Sequence, residues 1–430
     1  MKLRTLIFWP HLIAGVVAGV VILIMSATGV LLTYERQMIA WADSHLRSVA
    51  PSADARRLPV ETLLETVRRD RPDLAPTALT IGSAANAAAV LTVAGGTVHV
   101  DAYSGQVLGT GATGMRRFMS SLRTWHRYIG VAGEGRPLAK AITGWANFIF
   151  LFIVVSGIYL WFPRKWTWPR VKPVVFFKGG LRGKARDFNW HNVAGMWSAV
   201  PLFLVVLSAV PISFRWASDA VYQAVGEEPP AQGGRGAAAA GRAGGAGAAE
   251  GGGRAEGPGR GEGVGRAEGG DRAAGTARGE GRHRPDAAVS FAGLDALWAR
   301  AEQQVPGWRT INLRLPDSPN APVAFAIDKG DGGQPHLRST LTLNRASGDV
   351  VSYEDFSSLT LGRRIRNVMR FAHTGEVLGI PGQTVAGLVS LGGVLLVWTG
   401  IALTLRRFNA WIKRRRQPKS IDESAREAAA

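Results

Sequence analysis

The distribution of apolar residues along the chain predicts four membrane-spanning helices. The first apolar run, from about His11 to Thr33, carries no charged side chain. At about 1.5 Å per residue it is long enough to cross a bilayer core of about 30 Å. Three more runs of this kind begin near Ala141, Val193 and Thr384. The predicted spans with their boundary residues are 1–33, 138–162, 190–214 and 382–405.

Between the spans, an alternating pattern predicts β-strands. Residues 98–107 and 341–350 each alternate apolar and polar positions and pass through a Ser-Gly turn, which indicates a β-hairpin in each segment. An amphipathic helix precedes each hairpin, from about Val60 to Arg69 and from about Leu294 to Val305. The chain therefore predicts two small α+β modules, at residues 34–115 and 289–361.

The remaining segments are connections. Short interfacial helices with turns are expected at residues 116–137 and 362–381, and basic segments at 163–189 and 406–430. Residues 226–288 consist mainly of Gly, Ala, Arg and Glu and contain no aromatic residue. This composition cannot bury enough apolar surface to offset chain entropy, so we expect a disordered insertion there.

Several motifs occur twice at matching places. A pair of arginines precedes a histidine by ten and nine residues, as Arg116-Arg117 before His126 and as Arg363-Arg364 before His373. Spans one and three both open on the pattern His-x-x-Ala-Gly. We therefore expect a four-helix bundle built from two parallel repeats, each consisting of a span, an outward module and a span.

The placement of charge predicts the orientation. The chain has 51 Lys+Arg against 32 Asp+Glu, a formal net charge of +19. The basic residues concentrate at the N-terminus, between spans two and three and at the C-terminus, which places these three regions in the cytoplasm. The high charge therefore indicates a lipid membrane as partner, and no nucleic acid. The basic loop also suits an acidic electron donor.

The composition limits the chemistry. The chain contains no cysteine. Disulfides, iron–sulfur clusters, thiolate zinc sites and covalent haem attachment are therefore excluded. Any redox metal must be held by His, Met or carboxylate side chains.

Four histidines lie at membrane depth, where an ionisable residue is costly and marks a candidate site. Topology pairs His11 with His191 near the cytoplasmic face, and His126 with His373 near the outer face. Two facing imidazoles can ligate a metal or the two sides of a haem iron. Haem fits better than zinc, because tetrahedral zinc needs three or four ligands. The prediction is two b-type haems, bound non-covalently by two histidines each; interfacial hydrogen bonding is the alternative role.

Basic residues accompany the two outer histidines. Their guanidinium groups suit the propionates of a haem, although contact with lipid phosphate is an equal alternative. The six candidates are Arg116, Arg117, Arg123, Arg363, Arg364 and Arg370. The other histidines, His45, His99, His283 and His336, receive no ligand role because they lack a counterpart or lie in loops.

The motifs in this order resemble the PepSY-associated transmembrane helix family. The resemblance rests on the hairpin from Val98 to Gly109, the Arg-Arg-x(8)-His segments, the stretch 156–161 (Ser-Gly-Ile-Tyr-Leu-Trp) and the His-x-x-Ala-Gly openings. It implies an α-helical protein of the bacterial inner membrane with PepSY-like periplasmic modules. It also implies a di-haem reductase of ferric siderophores, and carries His11, His191, His126 and His373 over as axial ligands.

The expected function is therefore electron transfer from a cytoplasmic or quinol donor to a ferric chelate in the periplasm. No acid or base side chain is assigned to this reaction. Two alternatives remain at this point: a membrane-anchored PepSY protein that binds a partner or regulates a protease, and a permease for iron chelates.

Overall fold

The structure, a computed structural model, describes residues 3–49, 52, 54–163, 165–230 and 290–416. The predicted insertion lies outside the described residues from position 231 onwards, as does the end of the basic tail from position 417. Within the described residues, four helical segments are long and apolar enough to cross a membrane. The prediction of four spans is therefore confirmed at the level of length and composition.

The same order of elements occurs in both halves of the chain. The first half contains α1 (Leu3–Leu32), α2 (Glu35–Ala42), α3 (Val60–Asp70), β1 (Ala78–Gly82), β2 (Ala89–Val93), β3 (Gly96–Val100), β4 (Val107–Thr110), α4 (Thr113–Tyr128) and α5 (Arg136–Trp161). A short helix, α6 (Trp168–Val175), connects the halves. The second half contains α7 (Gly183–Ser213), α8 (Arg215–Gln223), α9 (Leu294–Gln304), β5 (Thr310–Arg314), β6 (Val323–Asp328), β7 (Arg338–Leu343), β8 (Val350–Asp355), α10 (Leu361–His373) and α11 (Gly379–Arg416). Turns of 3₁₀-helix precede α5, β7 and α11, at Gly133–Gly135, Pro335–Leu337 and Glu376–Leu378.

The membrane helices are longer than the apolar runs that predict them. Helix α1 already begins at Leu3, and α11 continues through the basic residues to Arg416. Helix α7 begins at Gly183, so His191 lies two turns inside the helix instead of at its start. Basic residues propagate a helix well, so the helical backbone extends beyond the apolar window.

The four long helices form a ring in the order α1, α5, α7, α11, in which each helix packs against its two neighbours. Helices α1 and α7 therefore lie on opposite sides of the bundle. The interior is apolar and includes Ile22, Phe150 and Leu202. Close packing requires small residues, because a Cβ at Gly393 would lie 2.8 Å from the Ser26 hydroxyl oxygen.

The strands of the two predicted modules form one sheet. Among the described residues, eight antiparallel strands follow the order β4-β3-β2-β1-β5-β6-β7-β8. Both predicted hairpins are present, β3–β4 and β7–β8. The two predicted modules share this one sheet, because β1 pairs with β5 over five residue pairs, from Ala78↔Arg314 to Gly82↔Thr310. This pairing satisfies the backbone groups that two separate sheets would leave exposed at an edge.

Helices α3 and α9 cover one face of this sheet. The core between them contains fully buried side chains such as Leu79, Ile311 and Phe325. The two helices also cap one another: the amide of Glu61 donates to Asp295 Oδ1 (3.1 Å), and the amide of Asp295 donates to Glu61 Oε1 (3.0 Å). Each cap satisfies an otherwise unpaired amide at a helix N-terminus.

The opposite face of the sheet is polar and meets α2, α4 and the Glu376–Leu378 turn. Strand alternation places Thr80, His99 and Asp328 on this face. The side chain of Arg36 in α2 bonds the carbonyl of Asp331, which follows β6 (3.1 Å). The polar face of the sheet therefore lies next to the helices that carry His126 and His373.

Candidate functional site

The structure brings the four predicted histidines together in two pairs. His126 and His373, at the C-terminal ends of α4 and α10, form the sheet-side pair, with ring centroids 6.2 Å apart and ring planes at 57°. His11 and His191 lie on the opposed helices α1 and α7 and form the far pair. Their side chains contact Ser156 in α5 and Thr399 in α11, the two helices that lie between α1 and α7 in the bundle.

The Nδ1 atom of each histidine has a hydrogen-bond partner on another helix. His11 Nδ1 lies 2.8 Å from Ser156 Oγ, and His191 Nδ1 lies 2.9 Å from Thr399 Oγ1. In the sheet-side pair, His126 Nδ1 lies 3.0 Å from Thr28 Oγ1, and His373 Nδ1 lies 2.9 Å from the carbonyl oxygen of Val205. These contacts fix the orientation of all four rings.

The same contacts determine which ring nitrogen carries the proton. Each hydroxyl proton is already donated to a carbonyl one turn back in its own helix: Ser156 to Phe152, Thr28 to Ile24 and Thr399 to Leu395, at 2.7 Å each. The hydroxyl oxygens therefore accept from the imidazoles, as the carbonyl of Val205 must do. A neutral imidazole that donates through Nδ1 keeps its lone pair on Nε2, the atom that binds a metal.

The environment of the rings is compatible with ligation. Among the described residues, none of the four Nε2 atoms has a hydrogen-bond partner, and each imidazole is half-buried. Burial and the neighbouring His373 lower the pKa of His126 to about 4, so its imidazole is neutral at physiological pH. Neutral imidazole is the form that binds metals.

Three of the rings lie against a glycine. A Cβ added at Gly157 would be 3.3 Å from His11 Cε1, and one at Gly400 would be 3.6 Å from His191 Cε1. A Cβ at Gly29 would likewise be 3.6 Å from His126 Cε1. Each glycine directly follows the residue whose hydroxyl accepts from that histidine. The hydroxyl and the adjacent glycine therefore form one small unit that receives an imidazole.

Sequence reasoning missed this role of the hydroxyl residues. A pattern of Ser or Thr, then Gly or Ala, then Ile or Val occurs in each long helix, at 28–30, 156–158, 208–210 and 399–401, and a second time in α7 at 198–200. The pattern itself does not reveal the function of the hydroxyl. The copy at Ser208 differs, since its hydroxyl donates to the Val205 carbonyl that accepts from His373.

The two pairs lie at different depths of the bundle. Thr28, which contacts His126, follows His11 by 17 residues in α1, which is about 25 Å at 1.5 Å per residue. Buried apolar side chains, among them Ile22, Phe150 and Val206, fill the interior between these depths. Within the described residues, no group of three or more His, Asp or Glu side chains is arranged to hold a metal ion.

Several of the six predicted arginines have other partners. Arg116 forms a bidentate ion pair with Asp43 (2.5 and 3.1 Å), and Arg123 forms an ion pair with Glu35. Arg364 bonds the carbonyl of Leu359 (2.8 Å). Arg363 lies near Glu227. Arg117 and Arg370 are exposed. Arg370 stands one helical turn before His373.

A buried histidine that the sequence did not single out lies beside Arg116. His99 Nε2 is 3.6 Å from Asp43 Oδ2 and has no hydrogen-bond partner, although it is shielded from solvent. The ring lines an open cavity of about 300 Å³ between α2 and the sheet, together with Asp43 and Arg47. The contact between α4 and the end of α2 is made by Arg116 and Asp43 beside this ring.

These observations define a membrane protein in which a four-helix bundle with two internal histidine pairs carries one mixed extramembrane layer of sheet and helices. The chain belongs to the family described as the PepSY-associated TM region, which matches residues 8–407. The resemblance inferred from the sequence is thus confirmed at the level of the family. A comparison with curated proteins gives no match.

The state of His99 predicts how stability depends on pH. Burial lowers the pKa of His99 below 6.5; Asp43 opposes this shift, and Arg116 and His45 add to it. The folded protein therefore keeps His99 neutral, while the unfolded chain binds a proton near pH 6.5. The contribution to stability is complete above pH 6.5 and is lost as the pH falls from 6.5 through the lower, folded-state pKa.

We expect His99→Gln to flatten the pH dependence of the thermal unfolding midpoint below pH 6.5. The midpoint is measured on the purified full-length protein over a series of buffers. His336→Gln, at an exposed position, serves as the control and should follow the unsubstituted protein. Identical slopes for His99→Gln and the unsubstituted protein would contradict the assignment.

Proposed function

We propose that each histidine pair binds one b-type haem and that the protein passes electrons across the membrane to ferric chelates of the siderophore class. The observation that carries this proposal is the geometry of the sheet-side pair. Two imidazoles that face each other at a short distance would be able to hold one iron between their Nε2 atoms. The centroids of His126 and His373 are 6.2 Å apart.

The far pair supports the same assignment through its placement. His11 and His191 project from helices on opposite sides of the ring, so a flat ligand between them would lie in the centre of the bundle. Both imidazoles donate through Nδ1 and present Nε2 as the remaining donor atom. A Cβ at Gly15, one turn from His11, would meet no atom within 4 Å, which leaves room beside the ring.

When bound, haems with two histidine ligands supply one-electron transfer and offer no open iron position for oxygen. The protein's own part is to hold four Nε2 atoms in place and to keep the bundle interior apolar between the two depths. The chelated Fe³⁺ is the substrate: hard oxygen donors hold Fe²⁺ more weakly, so a single electron favours release of the metal. This reaction needs no proton-transferring side chain, and the structure does not have to supply one.

The proposal includes an orientation. The N-terminus, the α5–α7 connection and the C-terminus would face the cytoplasm of a bacterium, following the distribution of Lys and Arg. The sheet would then lie in the periplasm, and the far pair would accept electrons from a cytoplasmic or quinol donor. Two parallel repeats related by an axis along the membrane normal would account for the matching order of elements in the halves.

The first prediction from this proposal concerns the haem content of the protein. The purified protein should contain about two haems per chain, and either His126→Ala or His11→Ala should reduce this to about one, because one pair would then lack one of its two histidines. Pyridine haemochrome quantification and dithionite-reduced difference spectra measure the content. His45→Ala, at an exposed position, is the control. A protein without a Soret band, or with an unchanged band in both variants, would favour a membrane-anchored PepSY protein without electron transfer.

The second prediction tests whether the hydroxyl of Thr399 orients His191, with the hydroxyl of Thr404 as the comparison. Thr399 and Thr404 both lie in α11 and both donate to a carbonyl one turn back, but only Thr399 accepts from His191. Thr399→Val should weaken haem retention at the far pair by about 10–100-fold, because an orienting partner of a metal ligand is lost. Thr404→Val should leave it unchanged; equal effects of the two substitutions would refute the orienting role.

The third prediction concerns the acceptor. Full-length protein reduced with dithionite, then freed of reductant, should be reoxidised anaerobically by ferric siderophores, with Fe²⁺ trapped by a ferrous-specific chromophore. The rate should fall when either histidine pair is disrupted. If no ferric chelate reoxidises the haems, the reductase assignment fails while the cofactor assignment stands. Uptake of intact chelate into vesicles without reductant would instead indicate a permease.

A further inference from the structure

Three arginines from three different elements meet between the sheet and the sheet-side histidine pair. Arg36 lies in α2, Arg338 begins β7 and Arg370 lies in α10. The Pro335–Leu337 turn directly before Arg338 contacts α10, and Arg36 bonds the carbonyl of Asp331 in the same loop. Burial and the positive charges of Arg36 and Arg370 also lower the pKa of Arg338. Arg370 precedes His373 by three residues and so shares its helix face.

Two carboxylates only partly balance these charges. Arg36 Nε lies 2.9 Å from Glu376 Oε1, and Arg338 Nε lies 3.5 Å from Asp328 Oδ2, beyond hydrogen-bond distance. Burial raises the pKa of Asp328. The three guanidinium groups carry one more charge than these two carboxylates can balance. The cluster therefore keeps an excess of positive charge.

The two halves of the chain differ in whether the arginine three residues before the histidine is neutralised by a carboxylate. Arg123 and Arg370 occupy the same position, three residues before their histidines, and Arg123 is neutralised by Glu35. The residue that matches Glu35 in the second half is Arg215, which pairs with Asp219 in its own helix (3.2 Å). Within the described part of the chain, no carboxylate lies within ion-pair distance of Arg370.

The loop between β6 and β7 holds Arg36 in place. The carbonyl of Asp331 accepts from Arg36 Nη1, and Gly332 lies directly against the guanidinium group. A Cβ at Gly333 would be only 2.6 Å from Glu376 Cβ, so the loop fits closely over the turn before α11. The side chains of Arg36 and Arg338 nevertheless remain 30% and 19% exposed, which leaves them accessible to a ligand.

We propose that Arg36, Arg338 and Arg370 form a carboxylate-binding site that holds an anionic ligand next to the sheet-side histidine pair. Planar guanidinium groups bind carboxylates through paired, charge-assisted hydrogen bonds. This inference rests on the proposed function: the site selects ferric acceptors that carry carboxylates, such as a ferric citrate complex. The same chemistry would also accept a haem propionate, and the experiment below distinguishes these two sources.

The test uses full-length, haem-replete protein in lipid nanodiscs and gallium citrate, a redox-inert substitute for ferric citrate. Isothermal titration calorimetry should detect binding that weakens at higher salt. Arg370→Gln and Arg338→Gln should each weaken binding by about tenfold or more, because each removes a charge-assisted hydrogen bond. Arg69→Gln, at an exposed residue of α3 paired with Asp70, is the matched control and should bind as the unsubstituted protein does. Arg370→Lys should retain part of the affinity because the charge remains.

The haem spectrum and haem content of each variant are recorded in the same samples. Weaker gallium citrate binding with unchanged haem would identify an external carboxylate ligand. No gallium citrate binding by the unsubstituted protein, together with haem loss or a shifted Soret band in Arg370→Gln and Arg338→Gln only, would identify the carboxylate as a propionate. Equal affinity in all variants, or neither binding nor a haem effect, would overturn the proposal. Because gallium is not reduced, binding can be detected even if the protein reduces no ferric chelate.

Discussion

The hydrogen bond from each imidazole Nδ1 to a neighbouring helix is the interaction on which the rest of this structure depends. Three of the acceptors are hydroxyls whose own protons are committed to their helices, and the fourth is a backbone carbonyl. In every case the acceptor lies on a different helix from the histidine. The same bonds therefore join the helices of the bundle and leave one ring nitrogen free for a ligand. An imidazole without this partner would be free to rotate or to exchange its tautomer.

The surrounding fold serves this arrangement at both depths. Glycines after the accepting residues let the rings approach a neighbouring backbone, and the ring order of the helices sets His11 and His191 on opposite sides. At the other end, α4 and α10 deliver His126 and His373 from outside the bundle. The ion pair of Arg116 with Asp43 attaches α4 to the end of α2, and that of Arg36 with Glu376 attaches α2 to the turn that follows α10. Positioning of the sheet-side pair thus depends on the extramembrane layer as well as on the spans.

The sequence predicts those features that arise from local periodicity and from topology. Apolar runs predict the spans, alternation predicts the hairpins β3–β4 and β7–β8, and depth in the membrane predicts which histidines meet. The pairing of β1 with β5 was not predictable. Alternating residues predict the strands of each module, but they do not show which edge strand pairs with which. The partners of Arg116 and Arg123 were hidden for a similar reason: Asp43 and Glu35 are distant in sequence and carry no motif. The accepting hydroxyls did carry a motif, in Thr28, Ser156 and Thr399, but its meaning depends on contacts between helices.

The continuous sheet has one further consequence. The halves of the chain meet twice, through α1 with α11 and α5 with α7 in the bundle, and through β1 with β5 and the mutual caps of Glu61 and Asp295 above it. These joints are non-covalent and resemble the interface of a symmetric dimer. Rotation of one half against the other would have to break backbone ladder and helix packing at once. The two halves of the chain therefore form one rigid unit. The packing between them sets the distances between the internal histidines.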